Sequence, residues 1–165
     1  MGRGATKAVG NRWYQARITA SKYNERLSSR EGAAEALHMS VDAVTDAELG
    51  LSKTMPVDKA VLMSDLYGDP SLLNYYCLHE CPIGRNLPIS DETPSIEQAT
   101  LALLSYAKFD RISNCIDRLV DIAEDGKITD DEAESLEDIV YFLEKLSKNT
   151  SKLRNILELR KYPRE

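Results

Sequence analysis

The residues whose chemistry stands out most from their surroundings are Cys77, His79 and Cys81, in the run CLHECPIG. Thiolate and imidazole suit zinc, yet a structural zinc takes four protein ligands and this run offers three. In a helix Cys77 and Cys81, four residues apart, share a side while His79 points elsewhere, and the one other histidine is His38. Inert, buried thiols with an exposed His79 are the expectation, and these three are the only metal candidates. No nucleophile and base pair, glycine-rich phosphate loop or complete ligand set accompanies them. The chain is therefore expected to be no enzyme and to carry no cofactor.

A second stretch offers oxygens. Asp121 to Glu132, DIAEDGKITDDE, resembles a calcium-binding EF-hand loop, with Asp121, Asp125, Gly126, Ile128 and Glu132 at its first, fifth, sixth, eighth and twelfth positions. Position three is Ala123, which has no oxygen to give, and no second loop of the kind follows. A plain corner between helices explains more of these residues. Gly126 supplies a left-handed cap, Thr129 to Glu132 forms a capping box, and Ile128 staples to Ala133.

The elements that would position a binding site centre on Ser28 to Gly50, SSREGAAEALHMSVDAVTDAELG. Ser28 or Ser29 N-caps a first short helix, in which Ala33, Ala34 and Ala36 admit a close neighbour and Leu37 supplies an apolar end. His38 and Met39 make a corner, and Ser40 caps a second helix from Val41 onward. Two helices about three residues apart form a helix-turn-helix unit. The spacing of Ser29, Ala33, Ala34, Leu37, Ser40, Val44, Glu48 and Gly50, with Pro56, Val61, Leu62 and Leu66 beyond, resembles the phage-repressor (Cro and lambda-repressor-like) helix-turn-helix family, over Asn11 to Cys77.

That resemblance implies a bundle of about five helices that dimerises on double-stranded DNA and reads base edges from its third helix. By position, the base-facing residues would be Ser40, Val41, Asp42, Ala43, Thr45 and Asp46, while Arg12, Arg17, Arg30 and Lys53 would hold phosphates. The sequence departs from the family in its charge. Asp42 and Asp46 only accept hydrogen bonds and both repel phosphate, and no Lys or Arg lies between Arg30 and Lys53. Two functions follow. One is a DNA-binding transcriptional regulator, and the other a non-enzymatic adaptor in which the acidic third helix meets a basic protein.

Composition is compatible with both. The net charge is -6, but residues 1 to 30 carry seven Lys or Arg against Glu25 alone, whereas the remainder carries 14 basic and 26 acidic side chains. Within a Debye length of about 10 Å the local sign governs a phosphate contact. Three cysteines suit free thiols, and the absence of a long apolar run or apolar leader points to the cytoplasm and away from membranes.

The whole chain is expected to be all-α. Residues 1 to 10 form a flexible arm, 11 to 85 the helix-turn-helix domain, 86 to 94 a linker around Pro88 and Pro94, and 95 to 165 a helical hairpin. A first helix over Asn11 to Leu27 would turn Tyr14, Ile18 and Ser21 inward and Arg12, Arg17, Lys22 and Arg26 outward. In the hairpin, one long helix over Ser95 to Ala123 carries Leu101, Leu104, Phe109, Ile112, Ile116, Leu119 and Ala123, mostly three or four apart. A second, Asp130 to about Arg160, carries Leu136, Ile139, Leu143, Leu146, Leu153 and Leu157 in coiled-coil spacing. Two such helices cannot bury both stripes alone. A homodimer built as a two-fold four-helix arrangement is the expected solution; the alternatives are a monomer with the hairpin folded against its own first domain, and another protein at the hairpin.

Overall fold

The computed structural model describes residues 7–52 and 54–162. Arg3 and most of the expected arm, as well as Lys53, lie outside the described residues. Among those described there is no strand, and eight α-helices follow one another: α1 (Arg12–Ala20), α2 (Arg30–Leu37), α3 (Val41–Leu49), α4 (Val57–Tyr67), α5 (Ser71–His79), α6 (Ile96–Tyr106), α7 (Phe109–Ala123) and α8 (Asp130–Leu159). The chain divides into two compact units, one of Met1–Leu87 with Leu157–Glu165 and one of Pro88–Ile156.

In the first unit the helix boundaries follow from local chemistry. The Asn11 side chain accepts from the Trp13 and Tyr14 N–H groups and starts α1. Ser29 caps α2 by accepting from Gly32, and Ser40 caps α3 by accepting from Ala43. His38 closes α2 in the left-handed region at φ 51, a conformation that usually selects glycine or asparagine. The core joins Trp13, Leu27, Leu37, Val44, Met55, Met63, Tyr67 and Leu72 through small residues, Ala16, Ala33, Ala34 and Ala60, that let the helices approach.

Three expectations need correction here. The first helix ends at Ala20 and a separate 3-10 turn, Glu25–Ser28, begins under an Asn24 cap. The face of α1 is also rotated, with Trp13, Ala16, Arg17 and Ala20 buried and Tyr14 and Ile18 only half-buried, because the large indole claims the centre of the core. Lys7–Gly10, expected as part of the arm, is a 3-10 turn that buries Ala8.

The second unit is sparsely filled. Its buried cluster is Cys115, Ile122 and Ile139, with Leu119, Leu136 and Phe142 packed against it. Ser95 and Gln98 form a capping box at the start of α6, and Thr129 and Glu132 exchange hydrogen bonds at the start of α8. The single helix expected over Ser95 to Ala123 is broken: Ala107 leaves the helical region at ψ 51 and Lys108 is extended at ψ 136 before α7 begins. Nor is the segment before α6 a free linker. Ser90 is buried on α8, its N–H donating to Ser151 Oγ at 3.1 Å, and Asn155 Nδ2 donates to the Ser90 and Glu92 carbonyls at 2.9 and 3.0 Å. This polar strap accounts for the burial of Asn155 on α8, while Asn149, also buried, donates to the Lys145 carbonyl of its own helix.

Gly32 marks the tightest approach in the first unit. A Cβ there would stand 2.0 Å from the Arg26 carbonyl oxygen, so α2 and the preceding turn could not both keep their places. Gly32→Ala is expected to lower the unfolding free energy by about 2 kcal/mol or more. Urea denaturation reads the effect, and an unchanged midpoint would show that the turn does not pack on α2.

Candidate functional site

The expected base-facing residues do cluster at one end of α3. Ser40, Val41, Asp42 and Asp46 are exposed, whereas Ala43 and Thr45 are half-buried. Thr45 turns its hydroxyl onto its own helix, donating to the Val41 carbonyl at 2.8 Å. The opposite face of α3 buries Val44, Ala47 and Glu48. Among the described residues the exposed end therefore presents two carboxylates and no cation.

The expected phosphate contacts are elsewhere engaged. Arg17 is 3 % exposed, and its Nε and Nη2 reach the two carboxylate oxygens of the fully buried Glu48 at 2.5 and 3.1 Å. Its Nη1 donates to the Leu27 and Ser28 carbonyls, so the whole guanidinium is satisfied inside the protein. Arg30 Nε donates to the same Glu48 at 2.7 Å. Arg12 is paired with Asp69 at 2.9 Å and bonded to Ser71 Oγ at 2.6 Å. The assignment of Arg17 to a phosphate is thus corrected: a buried carboxylate on α3 draws it inward. Arg12 and Arg30 keep part of their surface but each already serves an internal acid.

Burial works against the Arg17 charge, but the Glu48 hydrogen bond and charge outweigh it and raise the guanidinium further above its ordinary value. Tyr67, beside the pair, is pushed well above the usual phenol range by burial first and the Glu48 charge second. Its hydroxyl is buried without a hydrogen-bond partner. The pattern that signals this centre is visible in the sequence: Glu48 interrupts the apolar positions Val44 and Ala47 on the inward side of α3. A lone acid there asks for a buried cation.

A half-buried acid, Glu80, gives a second anchor through neutral donors. Glu80 accepts from Trp13 Nε1 at 2.8 Å and from the Met55 N–H at 3.0 Å, anchoring the loop after α3 beside α5. Near it, Cys77 and Cys81 are half-buried and His79 is exposed, its ring 4.6 Å from that of Tyr75. Burial, then the neighbouring Cys81, raises the Cys77 thiol above its ordinary value. Among the described residues no three His, Cys, Asp or Glu side chains gather as a metal site. In the acidic corner Asp125 accepts from the Lys127 N–H and Glu132 is occupied by the Thr129 cap.

The second unit holds a cleft of about 580 Å³ between α7 and α8, lined by Tyr106, Arg111, Asn114, Cys115, Arg118 and Lys145 among others. Arg118 is fixed by Ser135, at 2.9 Å from Nε and 2.6 Å from Nη2, and Lys145 lies 4.8 Å from the Tyr141 ring centre. The cleft brings charges together without placing a base against a nucleophile.

No family model, curated protein or solved structure matches the chain. Among the described residues no helix is long and apolar enough to cross a membrane.

Glu48 sets the energetics of this region. Glu48→Ala leaves the Arg17 cation buried without its partner and is expected to cost about 3–5 kcal/mol of stability. Arg30→Ala, at a side chain 30 % exposed, is expected to cost about 1 kcal/mol or less. Chemical denaturation of both variants checks the order; equal losses would mean that Glu48 is not the shared anchor.

Proposed function

We propose that the protein is a non-enzymatic interaction adaptor, in which the α2–α3 pair offers an acidic surface to a basic protein. One observation carries this reading: each described arginine expected on phosphate, Arg12, Arg17 and Arg30, is committed to Asp69 or Glu48, while the outward end of α3 carries Asp42 and Asp46. A polyanion meeting that surface would face repulsion with no matched cation. A basic partner would meet attraction over the same area. Dimerisation through the helices after Ser95 belongs to this reading, since an adaptor gains reach and avidity from two copies.

A DNA-binding regulator of the phage-repressor type is the second reading, and a specific geometry favours it. α2 and α3 are joined by three residues, with His38 left-handed and Ser40 capping, and the start of α3 is exposed. Lys22 and Arg26 are also exposed, though Arg26 pairs with Glu35 at 2.8 Å.

A duplex-DNA titration at about 50 mM salt, followed by fluorescence anisotropy, separates the two. The adaptor reading expects no saturable binding by the natural chain. It also expects measurable, salt-sensitive binding once Asp42→Lys and Asp46→Lys are combined, because charge is then no longer the barrier. Binding by the natural chain that falls steeply with added salt would overturn the adaptor and restore the regulator.

A further inference from the structure

The second unit exposes more large apolar side chains than it buries. Its buried hydrophobic residues are Ala99, Cys115, Ile122 and Ile139, while Ile112, Ile116, Val120, Val140 and Leu143 are all exposed and Phe109 is 82 % exposed. These six are not scattered. The inward direction of α7 is set by Cys115 and Ile122 and by the Arg118 bonds to Ser135; that of α8 is set by Ser135, Ile139 and Phe142. Ile116 follows Cys115, Val140 follows Ile139 and Leu143 follows Phe142. One residue further along a right-handed helix is a turn of about 100°, and on two helices that run oppositely the same turn leads to the same side of the pair.

One side of the α7–α8 hairpin is therefore a continuous apolar face. It carries Phe109, Ile112, Ile116 and Val120 from α7, and Leu136, Val140 and Leu143 from α8. A hollow of about 490 Å³ lies along it, lined by Ile128, Ala133, Leu136 and Val140 together with Glu137, Tyr141 and Glu144. The cleft with Arg111, Asn114 and Lys145 opens on the other side. A standard interface takes about 800 Å² and 20–30 residues from each partner. The seven apolar residues named on this face would form the centre of such an interface, with the charged ends of the hairpin around them.

Charge identifies the occupant. Residues 117 to 138, around the corner, hold ten acids against Arg118 and Lys127, whereas residues 139 to 156 hold Lys145, Lys148, Lys152 and Arg154 against Glu144 alone. A face that is apolar along its middle, acidic at one end and basic at the other complements itself when turned end over end. The other two-fold arrangement would place two acidic corners together. We propose that this face is covered by a second copy of the chain, packed antiparallel so that the acidic corner of each hairpin lies over the basic end of its partner. The proposal rests on the adaptor reading only for its purpose; the surface and its charge are independent of what α3 binds.

The test uses the full chain. Sedimentation should show a dimer, and Ile116→Glu or Val140→Glu should weaken it by at least about 30-fold. Asn114→Glu, on the cleft side, should leave it intact, and helix content by circular dichroism should be unchanged in all three. Lysine cross-linking of a mixture of isotopically light and heavy copies should join Lys127 of one to Lys148 or Lys152 of the other. Intermolecular Lys127 to Lys127 links would overturn the antiparallel arrangement. A chain that remains monomeric at about 100 µM would overturn the second copy as occupant, and saturable binding of a synthetic Leu/Lys amphipathic helix to that monomer would assign the face to a basic partner. Since the DNA titration reads α3 and sedimentation reads α7 and α8, failure of one leaves the other standing.

Discussion

The first unit depends on a carboxylate placed where water cannot reach it. Glu48 is wholly buried, and an isolated anion there would be expensive enough to unfold a domain of this size. Arg17 and Arg30 supply three hydrogen bonds to it, two from the former and one from the latter. Because the three residues come from α1, α2 and α3, the pairing fixes how these helices meet. Apolar residues of similar volume could fill the space equally well; what the ions add is directional demand, since a bidentate fork tolerates little rotation. The same demand draws Arg17 off the surface and engages Arg30 from its edge. With Arg17 committed to the interior, the exposed side of α3 is left to Asp42 and Asp46.

The helical class and the sites of α2, α3, α4 and α8 were legible because their signals are local. Ser29 and Ser40 cap where a serine precedes a helical apolar pattern, and Gly50 and Gly68 adopt the left-handed conformation at the ends of α3 and α4, whereas Gly126, expected to cap α7, is left-handed beyond the helix and Glu124 in the right-handed region is the cap. What escaped the sequence is non-local. Arg17 reads as one more exposed cation until Glu48, thirty-one residues away, is seen to be buried. The break at Ala107 and Lys108 has no proline, glycine or side-chain cap to announce it, and both residues favour helix. Asn149 and Asn155 look like flaws in a leucine stripe, yet Asn155 receives the Ser90 strap and Asn149 bonds the Lys145 carbonyl of its own helix. Binary pattern finds where helices are, but not which polar residue is answered by another segment.

The second unit shows the complementary arrangement. Its interior is three residues with their partly buried neighbours, and its polar strap is held by hydrogen bonds rather than by apolar contact. Helices with so little between them and so much apolar surface outside resemble half of a bundle. The two units thus spend their charge differently. One hides opposite charges in its centre, and the other spreads them along its length.

The C-terminal end of α8 has a consequence for the order in which the protein is made. Tyr162 donates to Asp65 at 3.0 Å, and its ring lies against Gly68, so residues from Leu157 onward complete the first unit. During synthesis every residue of the second unit leaves the ribosome before that contact can close across 97 positions. The helices of the first unit thus emerge before the second unit yet are completed after it, and until then Asp65 and Gly68 lack their Tyr162 contact.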